Sequence, residues 1–105
     1  TDPMAIRLVL LAHHYRADWE YTDADLVAAQ ERLLAWRGAV ADAAGFPAGS
    51  TIATIRGALR DDLDAPAALA AVDAWVAASA AVDSDDTGAV ADMATAIDAL
   101  LGVRL

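Results

Sequence analysis

The stretch TDPMAIRLVLLAHHYRADWEY, residues 1–21, decides how the rest of the chain is read. Asp2 stands before Pro3: a capping side chain, then a proline at the first helical position, where no amide hydrogen is needed. The run that follows is apolar on more than one side. Met4, Leu8, Leu11 and Tyr15 form one stripe, and Ile6, Val9, Leu10 and His13 form another. A helix that is apolar on two sides is buried on two sides. The spacing therefore predicts a central helix from about Pro3 to Arg16, with the other elements packed around it. It runs into a dense cluster of His13, His14, Tyr15, Arg16, Asp18, Trp19, Glu20 and Tyr21, with residues 17–22 as a short connection.

Downstream, the apolar residues keep helical spacing. Thr22 reads as the next cap, with Asp25 three residues on in a capping-box arrangement. Asp23 and Asp25 suit the positive end of the helix dipole. Leu26, Ala29, Leu33, Trp36 and Val40 then form the core stripe of a second helix, which is expected to stop near Ala44. Glu31, Arg32 and Arg37 are placed on its outer face. The segment GFPAGS, residues 45–50, is a loop. A third helix, capped by Ser50 or Thr51, lines its inner face with Ile52, Ile55, Leu59 and Leu63. Pro66 starts a fourth, with Leu69, Val72, Trp75 and Val76 inward and Asp64 available as cap. VDSDDTG, residues 82–88, is an acidic surface loop. A fifth helix from about Thr87 carries Val90, Met93, Ile97, Leu100 and Leu101, and Gly102 ends it. The expected fold is all-α, a single bundle of about five helices over residues 1–105.

Charge limits the partners. The net charge is −9, with seven arginines and no lysine. A nucleic-acid surface needs a basic patch, because affinity comes mainly from neutralised phosphates; the acidic balance argues against such a partner. There is no cysteine, hence no disulfide or thiolate metal site. No charged-then-apolar leader is present, and the apolar runs are broken well short of the ~20 residues of a membrane helix. This composition reads as cytoplasmic, with no membrane partner.

No catalytic, cofactor-binding or metal-binding constellation stands out. His13 and His14 are adjacent and point about 100° apart on a helix, whereas metal-binding pairs lie a turn apart. One buried, hydrogen-bonded histidine and one at the surface is the simpler expectation; a docking or substrate-side role is the other. Asp61, Asp62 and Asp64 lack the partner base or the glycine of a calcium loop. Asp61 and Asp62 fall near the C-terminus of the third helix, where a negative charge is unfavourable by about 0.3–1 kcal/mol. They are expected to be structural ion pairs, with Arg16, Arg56 and Arg60 as candidate partners. Trp36 and Trp75 fall on core stripes. Trp19, in the connection, either plugs one end of the bundle or meets another surface.

DPMAIRLVLLAHHYRADWEYT, residues 2–22, resembles the segment just after the nucleotide-binding domain in the cysteinyl-tRNA synthetase superfamily. The doubled His13–His14 and the run Asp18–Trp19–Glu20 look more like the cysteine ligases of mycothiol biosynthesis, a branch of it. ALRDDLDAPAAL, residues 58–69, is similar to a corner found in both enzymes. The last four residues, Gly102 to Leu105, resemble the ligase C-terminus. The resemblance implies that the chain is the C-terminal helical domain of a larger enzyme whose N-terminal catalytic domain is missing here. The parent would be an ATP-dependent ligase forming a carbon–nitrogen bond between cysteine and glucosaminyl-inositol through cysteinyl-adenylate. Its ATP and zinc would sit in the missing domain, and this fragment alone would be inactive. The same likeness leaves open a cysteinyl-tRNA synthetase; a non-enzymatic helical interaction module is the reading without it. Tyr15, Arg16, Asp18 and Trp19 then become the candidate domain interface, facing the catalytic domain.

Overall fold

A computed structural model describes residues 2–13, 22–41, 45, 47–61, 64–81 and 88–105. Among the described residues, five helices make an all-α bundle: α1 (Pro3–Leu11), α2 (Asp23–Ala41), α3 (Gly49–Arg60), α4 (Ala65–Ala81) and α5 (Ala89–Leu101). α2 packs against α1, α4 and α5, and α4 packs against α3, α2 and α1. Their shared interior holds Leu33, Trp36, Leu69, Val72 and Trp75, closed by Leu8 of α1, Ile55 of α3 and Met93, Ile97 and Leu101 of α5, all buried. The stripes read from the sequence supply these side chains, and the half-buried Leu26, Val40, Ile52, Leu59, Val76 and Leu100 pack around them.

The caps explain most of the boundaries. Asp2 Oδ1 accepts the Met4 amide at 2.9 Å, and Pro3 follows, so α1 starts where expected. Thr22 and Asp25 form a reciprocal box: the Asp25 amide donates to Thr22 Oγ1 at 3.2 Å, and the Thr22 amide to Asp25 Oδ2 at 3.0 Å. At the start of α4, Asp64 Oδ1 accepts the Ala67 amide at 3.2 Å, taking the cap that Ala65 cannot provide. α5 ends on Gly102, whose φ of +69° is the left-handed geometry that glycine adopts without strain. Its amide returns to the Asp98 carbonyl at 3.0 Å, and Val103 folds back into the core.

Three expectations are corrected. α1 is not the central helix. Only its Ala5, Leu8 and Val9 side is buried, while Ile6 and Leu10 remain 48% and 55% exposed. Two buried sides need neighbours on both, and α2 and α4 meet α1 through that single side. The helix also ends at Leu11, short of Arg16. The His13 amide donates to the Leu10 carbonyl at 3.5 Å, an i→i−3 tightening that closes the last turn. Finally, neither Ser50 nor Thr51 caps α3. Ala48 holds the cap position without a side-chain bond, and Ser50 lies in the first turn, where its carbonyl accepts the Thr54 hydroxyl at 3.0 Å. α2 is described to Ala41, and α5 starts at Ala89 after Gly88; the expected ends at Ala44 and Thr87, Leu63 and the acidic loop over 82–87 lie outside the described residues.

Candidate domain-contact surface

The end of α1 meets the start of α2. His13 Nε2 lies 3.7 Å from Asp25 Oδ1, with both side chains about one quarter exposed. Asp25 thus serves the capping box through one oxygen and faces the histidine with the other. Beneath this pair lies a cleft of about 180 Å³, walled by Leu8, Val9 and Ala12 of the first segment and by Ala28, Ala29 and Arg32 of α2. His13 is half-buried, and His14, the other member of the expected buried-and-surface pair, lies outside the described residues. Tyr15, Arg16, Asp18 and Trp19 also lie outside them, so the candidate interface is located only by the point at which α1 delivers the chain.

The acidic corner is divided in use. Asp61 terminates α3, its amide donating to the Gly57 carbonyl at 3.0 Å. Asp64 caps α4, and its own amide donates to the Ala58 carbonyl at 3.0 Å. Among the described residues, neither carboxylate is within ion-pair distance of an arginine; Asp62 lies outside them. At Asp64 the amides at the start of α4 take the place of a cation, since a carboxylate is favourable at a helix N-terminus.

Two arginines placed on an outer face by periodicity, Arg32 and Arg37, form ion pairs in the structure. Arg32 Nη2 meets Asp73 Oδ2 at 3.0 Å, and the Trp36 indole donates to Asp73 Oδ1 at 2.8 Å, so one carboxylate ties α2 to α4. Arg37 Nη1 meets Asp2 Oδ2 at 2.7 Å, and its other nitrogen reaches the Arg104 carbonyl at 3.5 Å. Arg7 Nε donates to the Leu101 carbonyl at 2.9 Å. The first residues of α1 and the tail after α5 are thereby clasped together against α2. These partners are 35 to 94 residues apart in the chain. One signal was available: Asp73 is the sole charge in α4, next to buried Val72 and one turn from buried Leu69.

The chain is 54% identical over 99% of its length to the L-cysteine:1D-myo-inositol 2-amino-2-deoxy-alpha-D-glucopyranoside ligase of Catenulispora acidiphila. It is 57% identical over 99% to the enzyme of that name from Streptomyces avermitilis, and 55% identical over 100% to that of Thermobifida fusca. Along its whole length, this chain is a relative of the cysteine ligases. It spans about a quarter of them: 26%, 25% and 26% of the three proteins. No protein-family profile matches the chain. Nor do the described residues fit a zinc site of the kind expected for the ligase parent: no three His, Asp or Glu side chains converge among them, and the chain has no cysteine. No helix among the described residues is long and apolar enough to cross a membrane.

Proposed function

We propose that this chain is the C-terminal helical domain of a cytoplasmic, ATP-dependent ligase that joins cysteine to glucosaminyl-inositol in mycothiol biosynthesis. The observation that carries the reading is the identity of 54–57% across nearly the entire chain to ligases of that substrate class. In the proposed reaction, the cysteine carboxylate attacks the α-phosphorus of ATP and releases pyrophosphate. The amine of glucosaminyl-inositol then attacks the carbonyl of cysteinyl-adenylate, forming the amide and releasing AMP. ATP and zinc are assigned to the N-terminal catalytic part of the parent. This bundle contributes architecture: a rigid, clasped block that backs the catalytic domain, with Tyr15, Arg16, Asp18 and Trp19 as contacts. Its net charge of −9 supports a small-molecule acceptor over tRNA.

The test is to express the complete reading frame that encodes these residues and supply cysteine, ATP and glucosaminyl-inositol. Formation of the amide with stoichiometric AMP is the expected result. Cysteinylation of tRNA with no amide formed would give the protein to the synthetases, and a reading frame with no catalytic domain would make it an interaction module.

A further inference from the structure

α1 leaves Ile6 and Leu10, one turn apart, 48% and 55% exposed on the side away from its buried face. The environment of this ridge is unusual for the chain. The protein carries 16 acidic residues, yet α1 has none. Its one charge, Arg7, donates Nε to the Leu101 carbonyl, which ties the guanidinium to the end of α5. Pro3, also exposed, sits a turn before Ile6. A helix that packs through one side ordinarily carries polar residues on the other. Val27 and Leu34 of α2 are exposed too, but they lie two turns apart with Glu31 between them.

The chain spans about a quarter of the ligases it resembles, so roughly three further residues of ligase exist for each one here. We propose that the Ile6–Leu10 ridge of α1 docks on an apolar surface of the remaining part of the ligase, burying both side chains. The proposal rests on the functional reading above and adds to it the face through which the bundle is held. α1 is suited to that use: its inner side is locked to α2 and α4, and its start is clasped by Arg37, so a force on the ridge is carried into the core.

Single cysteines at Ile6→Cys, Leu10→Cys and, as control, Leu34→Cys are labelled with N-ethylmaleimide in the 105-residue chain and in the full-length protein, and the labelled peptide is quantified by mass spectrometry. Native cysteine is absent from the chain, so each label within it is unique. In the full-length protein, labelling at positions 6 and 10 is expected to slow by about tenfold or more, as for groups reached only through transient opening, while position 34, 73% exposed, is unchanged. Hydrogen exchange of the α1 amides in the unsubstituted proteins supplies a second measurement, with slower exchange expected in the full-length form. Equal labelling rates at 6 and 10 in both proteins overturn the proposal. So does protection within the 105-residue chain that grows with concentration and accompanies a dimer, which would give the ridge to a second copy. Protection in a full-length protein that forms no amide would support the docking and remove only the assigned reaction.

Discussion

The indole Nε1–H of Trp36, on α2, donates to Oδ1 of Asp73, on α4, at 2.8 Å. Trp36 is fully buried and Asp73 half-exposed, so the bond runs from the core to its rim. Asp73→Ala leaves a buried donor unpaired and is expected to lower stability by about 1–3 kcal/mol. Thermal denaturation of Asp73→Ala, Trp36→Phe and the double variant checks this. If Asp73→Ala costs as much with phenylalanine at 36 as with tryptophan, the bond carries no energy. Arg32→Ala, which removes the partly exposed cation paired with Asp73, should cost at most about 1 kcal/mol.

Stability should fall in acid through Asp2. The Met4 amide and the Arg37 guanidinium hold its carboxyl below the usual carboxylate range. A lowered pKa means that the folded state prefers the charged form. This contribution is therefore present above the ordinary carboxylate pKa of about 3.9 and is lost as the pH falls through the folded value. Asp2→Asn is expected to be less stable than the parent at neutral pH and to approach it once the pH falls below the folded value of Asp2. A constant difference between the two proteins across that range, read by denaturant unfolding, would show that Asp2 does not titrate with folding.

Gly102→Ala should destabilise the end of α5. A residue with a Cβ at φ +69° is strained by about 1–2 kcal/mol. The added carbon would also lie 3.1 Å from Arg7 Nη2, pressing on the guanidinium that holds Leu101. Gly102→Asn should cost less, since asparagine tolerates the left-handed region. Melting temperatures in the order glycine, asparagine, alanine are the expected result.

The 105-residue chain should fold by itself, with a helical circular dichroism spectrum and a cooperative melt, because five packed stripes close one core. It should show no cysteine-dependent ATP–pyrophosphate exchange. A spectrum of coil or strand, or exchange above blank, contradicts these expectations separately.

Arg16→Ala and Trp19→Ala test the connection after α1. If these residues contact the catalytic domain, adenylate formation by the full-length protein falls while the melt of the 105-residue chain is nearly unchanged. A fall in the chain's melting temperature, with activity lost in proportion, would place them in the bundle itself. Wild-type activity in both variants removes the contact.

What the sequence by itself determined is what depends on neighbours three or four residues apart. Helical spacing named Leu33, Trp36, Ile55, Val72, Trp75, Met93 and Ile97 as interior, and the structure buries all of them. Cap chemistry is equally local, and it marked Asp2, the Thr22–Asp25 box, Asp64 and Gly102. The motifs carried by the chain also pointed to the ligases that the comparisons then found. Tertiary structure alone decided which apolar faces are covered. Ile6 and Leu10 have the same periodicity as a buried stripe and are exposed because, among the described residues, α2 and α4 pack on the other side of α1. It alone turned Arg32 and Arg37 from an outer face into ties to Asp73 and Asp2. A long, flexible cation takes its partner from the helix that happens to pack beside it, and that neighbour is set by the closure of the whole core, which no local spacing encodes.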